Sequence, residues 1–170
     1  ADVDGDGEDE ILVVRSYLDR GAALAVIKAG ADGLKIAAET PALGRANRWL
    51  NPVGAADFDG DGRVEIALVE TPHIGGVHKH YRLRDGGLTA AISRTGVSSH
   101  AIGSRALGLA AILDANGDGV PDLLIPDQPH LRLLVLTHAV DRFAQIAAAS
   151  HPTPIVTDIA VADLDGNGAA

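Results

Sequence analysis

The acidic segment formed by residues 57–65 carries the side chains of this sequence that are best suited to chemistry. Its first, third, fifth and ninth residues are all acidic: Asp57, Asp59, Asp61 and Glu65. Glycines at the fourth and sixth positions let the backbone curl tightly, so alternate side chains point at one centre. The carboxylates, with the backbone carbonyl of Arg63, suit Ca²⁺, which takes about six to eight oxygen ligands. The segment therefore predicts a calcium loop.

The same pattern occurs three more times along the chain. Further copies occupy residues 2–10, 114–122 and 163–168, and the last of these ends before a ninth position. Successive copies start 55, 57 and 49 residues apart. Self-similarity at a period of about 50 residues is a signature of repeat architectures, propeller blades among them.

The EF-hand is the main alternative, because it also begins with Asp-x-Asp-x-Asp-Gly. That motif requires a glutamate at its twelfth position and a helix on each side. In this sequence the twelfth position is Val13, Leu68 or Ile125, and an acid occupies the ninth position instead. The flanking segments are short apolar runs, which are typical of strands. The same mismatch argues against dockerin-like loops.

The net charge of −9 is concentrated in the four acidic segments. Fifteen of the 23 acidic residues lie there, which leaves 8 acids against all 14 Lys and Arg residues. The acidity thus belongs to the predicted metal loops, and bound calcium would cancel much of it. The sequence has no concentrated basic stripe of the kind that binds nucleic acid. It also has no apolar run near the ~18 residues that a membrane span requires, and no cysteine.

Apolar runs separated by turn residues predict strands between the loops. Three runs follow each of the first three loops, and one more precedes each of the last three. This order gives about four strands per repeat, with the acidic loop joining the first strand to the second. The predicted strands are 10–15, 22–29 and 34–39; 53–58, 65–70, 76–84 and 88–95; 107–113, 122–125, 131–138 and 143–150; and 155–164.

Two features favour a β-propeller over a β-sandwich. The strand after each loop is apolar at consecutive positions, as expected when both faces of a sheet are covered. The strand before each loop is rich in Gly and Ala, which permits close approach around a central channel. The alanine-rich run 144–149 could instead form a helix, but a helix there would break the four-strand count. We therefore expect an all-β fold, a partial β-propeller of about three four-stranded blades with calcium loops between strands A and B.

These features resemble the FG-GAP/VCBS repeat family, calcium-binding β-propellers related in fold to the integrin α-subunit head. The resemblance covers nearly the whole chain and rests on the Asp-x-Asp-Gly-Asp-Gly-x-x-(Asp/Glu) loop between hairpin strands. In that family the cation loop joins the innermost strand A to strand B. The implied metal ligands are Asp2, Asp4, Asp6, Glu8 and Glu10; Asp57, Asp59, Asp61, Arg63 and Glu65; Asp114, Asn116, Asp118, Val120 and Asp122; and Asp163, Asp165 and Asn167. Residues Glu8, Arg63 and Val120 would contribute backbone carbonyls.

The repeats imply a single array with approximate boundaries 1–52, 53–106 and 107–154, and an incomplete copy at 155–170. Propellers of this kind usually close with about seven blades. Because the chain lacks Met and opens inside a loop, we interpret it as a fragment of a larger propeller. An unclosed arc leaves two blade faces bare, a situation that drives association. The expected partners are the remaining blades of the same propeller or another copy of the chain.

The face opposite the metal loops is the candidate ligand site. Its loops contain Arg48 and Arg105, each nine residues before the first acid of the next loop, together with Trp49, His73 and His100. One interpretation is that these are ordinary loop residues, with the arginines bonded to loop carbonyls. The other is a site for an acidic carbohydrate or a protein carboxylate, in which arginine pairs with the anion and Trp49 stacks.

The preferred function is a calcium-binding module with a protein-binding, carbohydrate-binding or structural role. An extracellular or periplasmic location is expected, because loops of modest affinity fill only where calcium is abundant. The alternative is part of a calcium-dependent polysaccharide lyase or hydrolase, with His73 or His100 as base. No nucleophile–base pair is legible, which favours the binding or structural role over the enzyme and leaves both open. His78 and His80 alternate along a predicted strand and are expected at the surface.

Overall fold

The chain folds into three antiparallel β-sheets in a computed structural model that describes residues 1–164. The first sheet contains β1 (Ile11–Tyr17), β2 (Gly21–Gly30) and β3 (Gly33–Glu39). The second contains β4 (Leu50–Ala56), β5 (Glu65–Glu70), β6 (Val77–Arg84) and β7 (Gly87–Thr95). The third contains β8 (Ala111–Leu113), β9 (Asp122–Pro126), β10 (Arg132–Ala139) and β11 (Arg142–Ser150).

Each sheet is a simple meander in which neighbouring strands follow one another in the sequence. Residues 1–164 contain no helix, and the three sheets do not close into a barrel. The expected all-β fold and partial propeller are therefore confirmed. The alanine-rich run 144–149 lies within β11, paired to β10, and is not a helix.

The inner strands differ most from expectation. β8 has three residues, whereas the sequence predicted a strand over 107–113, and the predicted strand 155–164 is absent. The two segments bond to each other instead. The N–H of Gly108 donates to Asp158 Oδ1 (2.8 Å), and the N–H of Ile159 donates to the Gly108 carbonyl (2.8 Å). Within the described residues no further strand lies beside 155–164 to form a ladder with it, so that prediction was wrong.

Two hydrophobic cores lie between the sheets, and β5 contributes to both because its side chains alternate. Ile66 and Leu68 pack in one core with residues of the first sheet such as Leu24. Val69 packs in the other core with Leu123 and other residues of the third sheet. The predicted coverage of both faces of this strand follows from that arrangement.

A close approach between β4 and β8 explains one of the small residues in the inner strands. A Cβ atom added at Gly54 would lie 2.6 Å from Ile112 Cδ1 of the neighbouring sheet. Only a residue without a side chain fits this spacing without a shift of Ile112.

Candidate metal centres

The three complete acidic loops share one hydrogen-bond frame. In each loop the carboxylate of the first residue accepts the N–H of the sixth residue, at 2.9 Å for Asp2, 2.8 Å for Asp57 and 2.8 Å for Asp114. The glycines permit this curl, since Gly60 has φ +71° and Gly62 has φ +83°. Left-handed backbone of this kind is costly for residues with a Cβ. The motif therefore dictates the same local backbone three times.

The ninth residue of each loop ties the loop to its sheet. Its carboxylate accepts the N–H of the second residue of the same loop. These contacts are Glu10 with Val3 (2.7 Å), Glu65 with Phe58 (2.9 Å) and Asp122 with Ala115 (3.1 Å). All three carboxylates are buried, although removing a charged carboxylate from water costs free energy. The Oδ1 atom of Asp122 has no hydrogen-bond partner within the described part of the chain.

The acidic side chains of the first two loops converge. One oxygen from each of Asp2, Asp4, Asp6 and Glu10 lies within 4.8 Å of the others. The same holds for Asp57, Asp59 and Asp61. In the third loop the amide of Asn116 replaces the middle acid and donates to Asp118 Oδ2 (2.9 Å). Backbone N–H groups, that of Gly119 first, lower the pKa of Asp114. These oxygen-rich groups could hold a hard divalent cation.

A basic side chain reaches into each of the first two loops, which the sequence had not suggested. Lys28 Nζ donates to Asp4 Oδ2 (2.5 Å) and Asp6 Oδ2 (2.5 Å) and lies 3.5 Å from Glu10 Oε1. Hydrogen bonding from Lys28 lowers the pKa of Asp6.

Arg82 has the same relation to the second loop. It contacts Asp59 and lies 3.1 Å from Asp61 Oδ2, and its Nε donates to Glu65 Oε1 (2.5 Å). Burial nevertheless raises the pKa of Glu65, because this cost exceeds the contributions of the Phe58 N–H and Arg82. In the third sheet the corresponding register position is Thr137, which carries no charge.

The fourth acidic copy is described only in part. Asp163 is exposed, whereas the predicted ligands Asp165 and Asn167 lie outside the described residues.

Comparison with known proteins agrees with the loop pattern. Residues 2–68, which include the first two loops, match the family model for the FG-GAP-like repeat. Residues 2–68 are an FG-GAP-like repeat. The chain is accordingly a module of the β-propeller type. No curated protein matches the chain. Within residues 1–164 there is also no helix of the length and apolar character needed to cross a membrane.

The ligand face lies at the ends of the sheets opposite the loops of the FG-GAP-like repeat. Trp49 stacks on His73 (5.7 Å between ring centroids), and Nδ1 of His73 lies 3.4 Å from Nδ1 of His100. Burial, followed by the nearby His100, lowers the pKa of His73. Arg48 lines a hollow of about 30 Å³ beside Trp49 and His73. Arg105 is exposed and is not among the residues that line this hollow.

His78 and His80 are buried, so the expectation that they lie at the surface was wrong. Their exposed fractions are 0% and 1%, because the third sheet covers this face of β6 and packs Phe143 against both rings. Burial lowers the pKa of His78 to about 3 and that of His80 to about 2. The sequence pattern gave only the alternation, and not which neighbouring sheet would cover these two side chains.

Proposed function

We propose that this chain is a calcium-binding propeller module whose loops hold Ca²⁺ as a structural ion. The observation that carries the proposal is the one hydrogen-bond frame present in all three complete loops. In the first two loops it is accompanied by carboxylate oxygens that converge on a common centre. The unpartnered buried Oδ1 of Asp122 also supports it, because a buried carboxylate oxygen without a donor is costly. A site whose ligand atoms are all oxygens suits Ca²⁺ better than it suits softer metal ions.

In this proposal the side chains that would hold the ions are those of loop positions one, three, five and nine, with the carbonyl of position seven. Bound calcium would supply positive charge where carboxylates otherwise repel one another. The ninth residue, which begins the following strand or directly precedes it, would then join the ion to that strand. An extracellular or periplasmic location is part of the proposal, because calcium is abundant there.

The test is thermal unfolding in chelator and in millimolar Ca²⁺. A ligand that binds only the native state adds about 2.7 kcal/mol at a hundredfold excess over Kd, so the melting temperature should rise. Asp59→Ala should remove the contribution of the second loop. Arg63→Ala is the matched control from the same loop, since only its carbonyl would bind. An unchanged melting temperature in wild-type protein would refute calcium binding.

A second candidate function is weak binding of an acidic saccharide or a carboxylate peptide at the opposite face. The favouring observation is the Trp49–His73–His100 cluster, which lies beside Arg48. Calcium-saturated protein would be titrated with an acidic oligosaccharide at two salt concentrations. Binding should weaken with salt and in the Arg48→Ala/Arg105→Ala double variant. Equal affinities of variant and wild type would assign both arginines to loop structure.

We also propose that further blades or a second copy of the chain cover the outer faces of the terminal sheets. Support comes from apolar side chains exposed there, among them Ile11 and Ile36 of the first sheet and Ile146 of the third. Sedimentation over a wide concentration range tests this, and a monomer at every concentration would exclude self-association.

A further inference from the structure

A second kind of ligand cluster lies between the second and third sheets. Glu65 at the start of β5, His80 of β6 and His138 of β10 each offer one ligand atom, and these atoms lie within 4.8 Å of one another. The cluster is formed only when the two sheets pack, because His138 comes from the neighbouring blade. Imidazole nitrogens are poor ligands for calcium and good ones for zinc. This cluster therefore differs in chemistry from the oxygen-rich loops.

The separation of the two imidazoles fits a shared metal ion. Nδ1 of His80 lies 3.3 Å from Nδ1 of His138. Two nitrogen ligands at the usual Zn–N distance, placed at a tetrahedral angle, lie about 3.3–3.4 Å apart. A hydrogen bond between the rings would also give this distance, but it would not involve Glu65, the third member of the cluster.

The surroundings hold the His80 ring in a fixed position, away from solvent. His80 is 1% exposed. Phe58 and Phe143 pack on the ring, with centroids 4.2 Å and 4.7 Å away. Glu65 is fully buried, with one oxygen bonded to the Phe58 N–H and the other to Arg82. Each carboxylate oxygen has two lone pairs, so Glu65 retains capacity for a further ligand bond.

The local charge also favours a divalent cation. Arg82 is the cation that contacts Asp59, Asp61 and Glu65, and it offsets only one of these three carboxylates. An added divalent ion at the histidine pair would lie close to the remaining negative charge.

We propose that Glu65, His80 and His138 form a zinc site between the second and third blades. Two imidazoles and one carboxylate make a three-ligand set of the kind that zinc accepts, with a fourth position left for water or another ligand. An ion held there would link β6 of one blade directly to β10 of the next. The site would strengthen the contact between blades, and it does not require calcium in the loops.

The experiment is a titration of the calcium-free full chain with Co²⁺, whose tetrahedral complexes absorb visible light far more strongly than octahedral ones. Wild-type protein should bind one Co²⁺ per chain with intense bands that Zn²⁺ abolishes. His138→Gln should lose these bands. His73→Gln is the matched control, because His73 and His100 also have facing Nδ1 atoms 3.4 Å apart. Among residues 1–164 these two histidines belong to no three-residue cluster that includes a carboxylate.

Weak octahedral absorption in wild-type protein would overturn the zinc site, and so would equal losses in the two variants. His138 is only partly buried, so His138→Gln should fold, and its melting temperature in chelator should match that of wild type. If it does not, Glu65→Gln retains an acceptor for the Phe58 N–H and must lose the same bands. Calcium-dependent melting, measured separately, can succeed or fail without affecting this result.

Discussion

Lys28 and Arg82 occupy the same register position in successive sheets. Lys28 follows Ile27, which pairs with Ile11, and Arg82 follows Tyr81, which pairs with Ile66. Each basic side chain therefore lies across from the ninth residue of the acidic loop in its own blade. Each contacts the acidic residues at loop positions three, five and nine. The first two loops thus carry a built-in positive charge at the place where a metal ion would bind.

Removal of the lysine should raise the calcium affinity of the first loop. In Lys28→Met the ion would no longer compete with an ammonium group, while the calcium-free protein would lose its internal compensation of charge. We expect a lower melting temperature in chelator, a larger calcium-induced increase and a severalfold tighter calcium titration. Lys35→Met is the control, since the ion pair that Lys35 forms within residues 1–164 is with the exposed Asp32 and not with a loop acid. A calcium affinity equal to that of the control would show that Lys28 does not compete.

The third sheet allows the reverse substitution. Thr137 stands where the other sheets have Lys28 and Arg82. In its loop the buried Oδ1 atom of Asp122 has no hydrogen-bond partner within residues 1–164. Thr137→Lys should raise the melting temperature in chelator and weaken calcium binding at the third loop. Thr137→Val, which adds no charge, serves as its control and should bind calcium as wild type does. An identical titration for the lysine and valine variants would contradict the idea.

The sequence predicted what depends on local pattern. The acidic loops, their glycines and the four-strand period follow from residues close together in the chain, and they were found from spacing alone. The positions of Lys28 and Arg82 beside the loops depend on the register in which β2 pairs with β1 and β6 pairs with β5. Cross-strand partners of this kind cannot be read from composition or spacing.

The buried histidines had a different cause of error. The alternation of His78 and His80 with Lys79 and Tyr81 correctly indicates a strand, and polarity alone favoured exposure. Which sheet face is covered depends on the next blade, whose Phe143 fills that space. The length of β8 was also predicted wrongly. Hydrogen bonds between Gly108 and the segment 155–164 take the place of the strand expected over 107–113.

Burial of His78 should make the protein sensitive to acid. The pKa of His78 is lowered to about 3, whereas an unfolded chain titrates near 6.5. Below about pH 6.5 the unfolded state therefore binds more protons, and the free energy of unfolding falls by about 1.4 kcal/mol per pH unit until about pH 3. Above pH 7 the imidazole is neutral in both states, so it does not make the free energy of unfolding depend on pH.

Urea unfolding between pH 4 and 8 in chelator measures this slope. Below about pH 6.5, His78→Phe should reduce the slope of the free energy of unfolding against pH by the contribution of one proton. His151→Gln, at an exposed position, should leave that slope unchanged. Parallel curves for wild type and His78→Phe would contradict the expected neutral, buried ring.

The contact between β4 and β8 predicts a substitution and its compensation. Gly54→Ala would place a Cβ atom 2.6 Å from Ile112 Cδ1, and overpacking of this kind costs about 1–3 kcal/mol. Ile112→Val removes the offending methyl group, so the double variant should recover most of the loss. Gly30→Ala, where the nearest atom is 3.8 Å away, is the control. Additive losses in the double variant would show that strain elsewhere is responsible.

The alternation of β5 has a consequence for how the module opens. Since Ile66 and Leu68 belong to one core and Val69 to the other, the second sheet cannot detach without exposing both. Within residues 1–164 the first and third sheets each contribute to a single core, so either can open while the other core stays packed. Amide hydrogens of β5 should therefore exchange with solvent only through unfolding of the whole chain, whereas those of the first and third sheets report smaller openings.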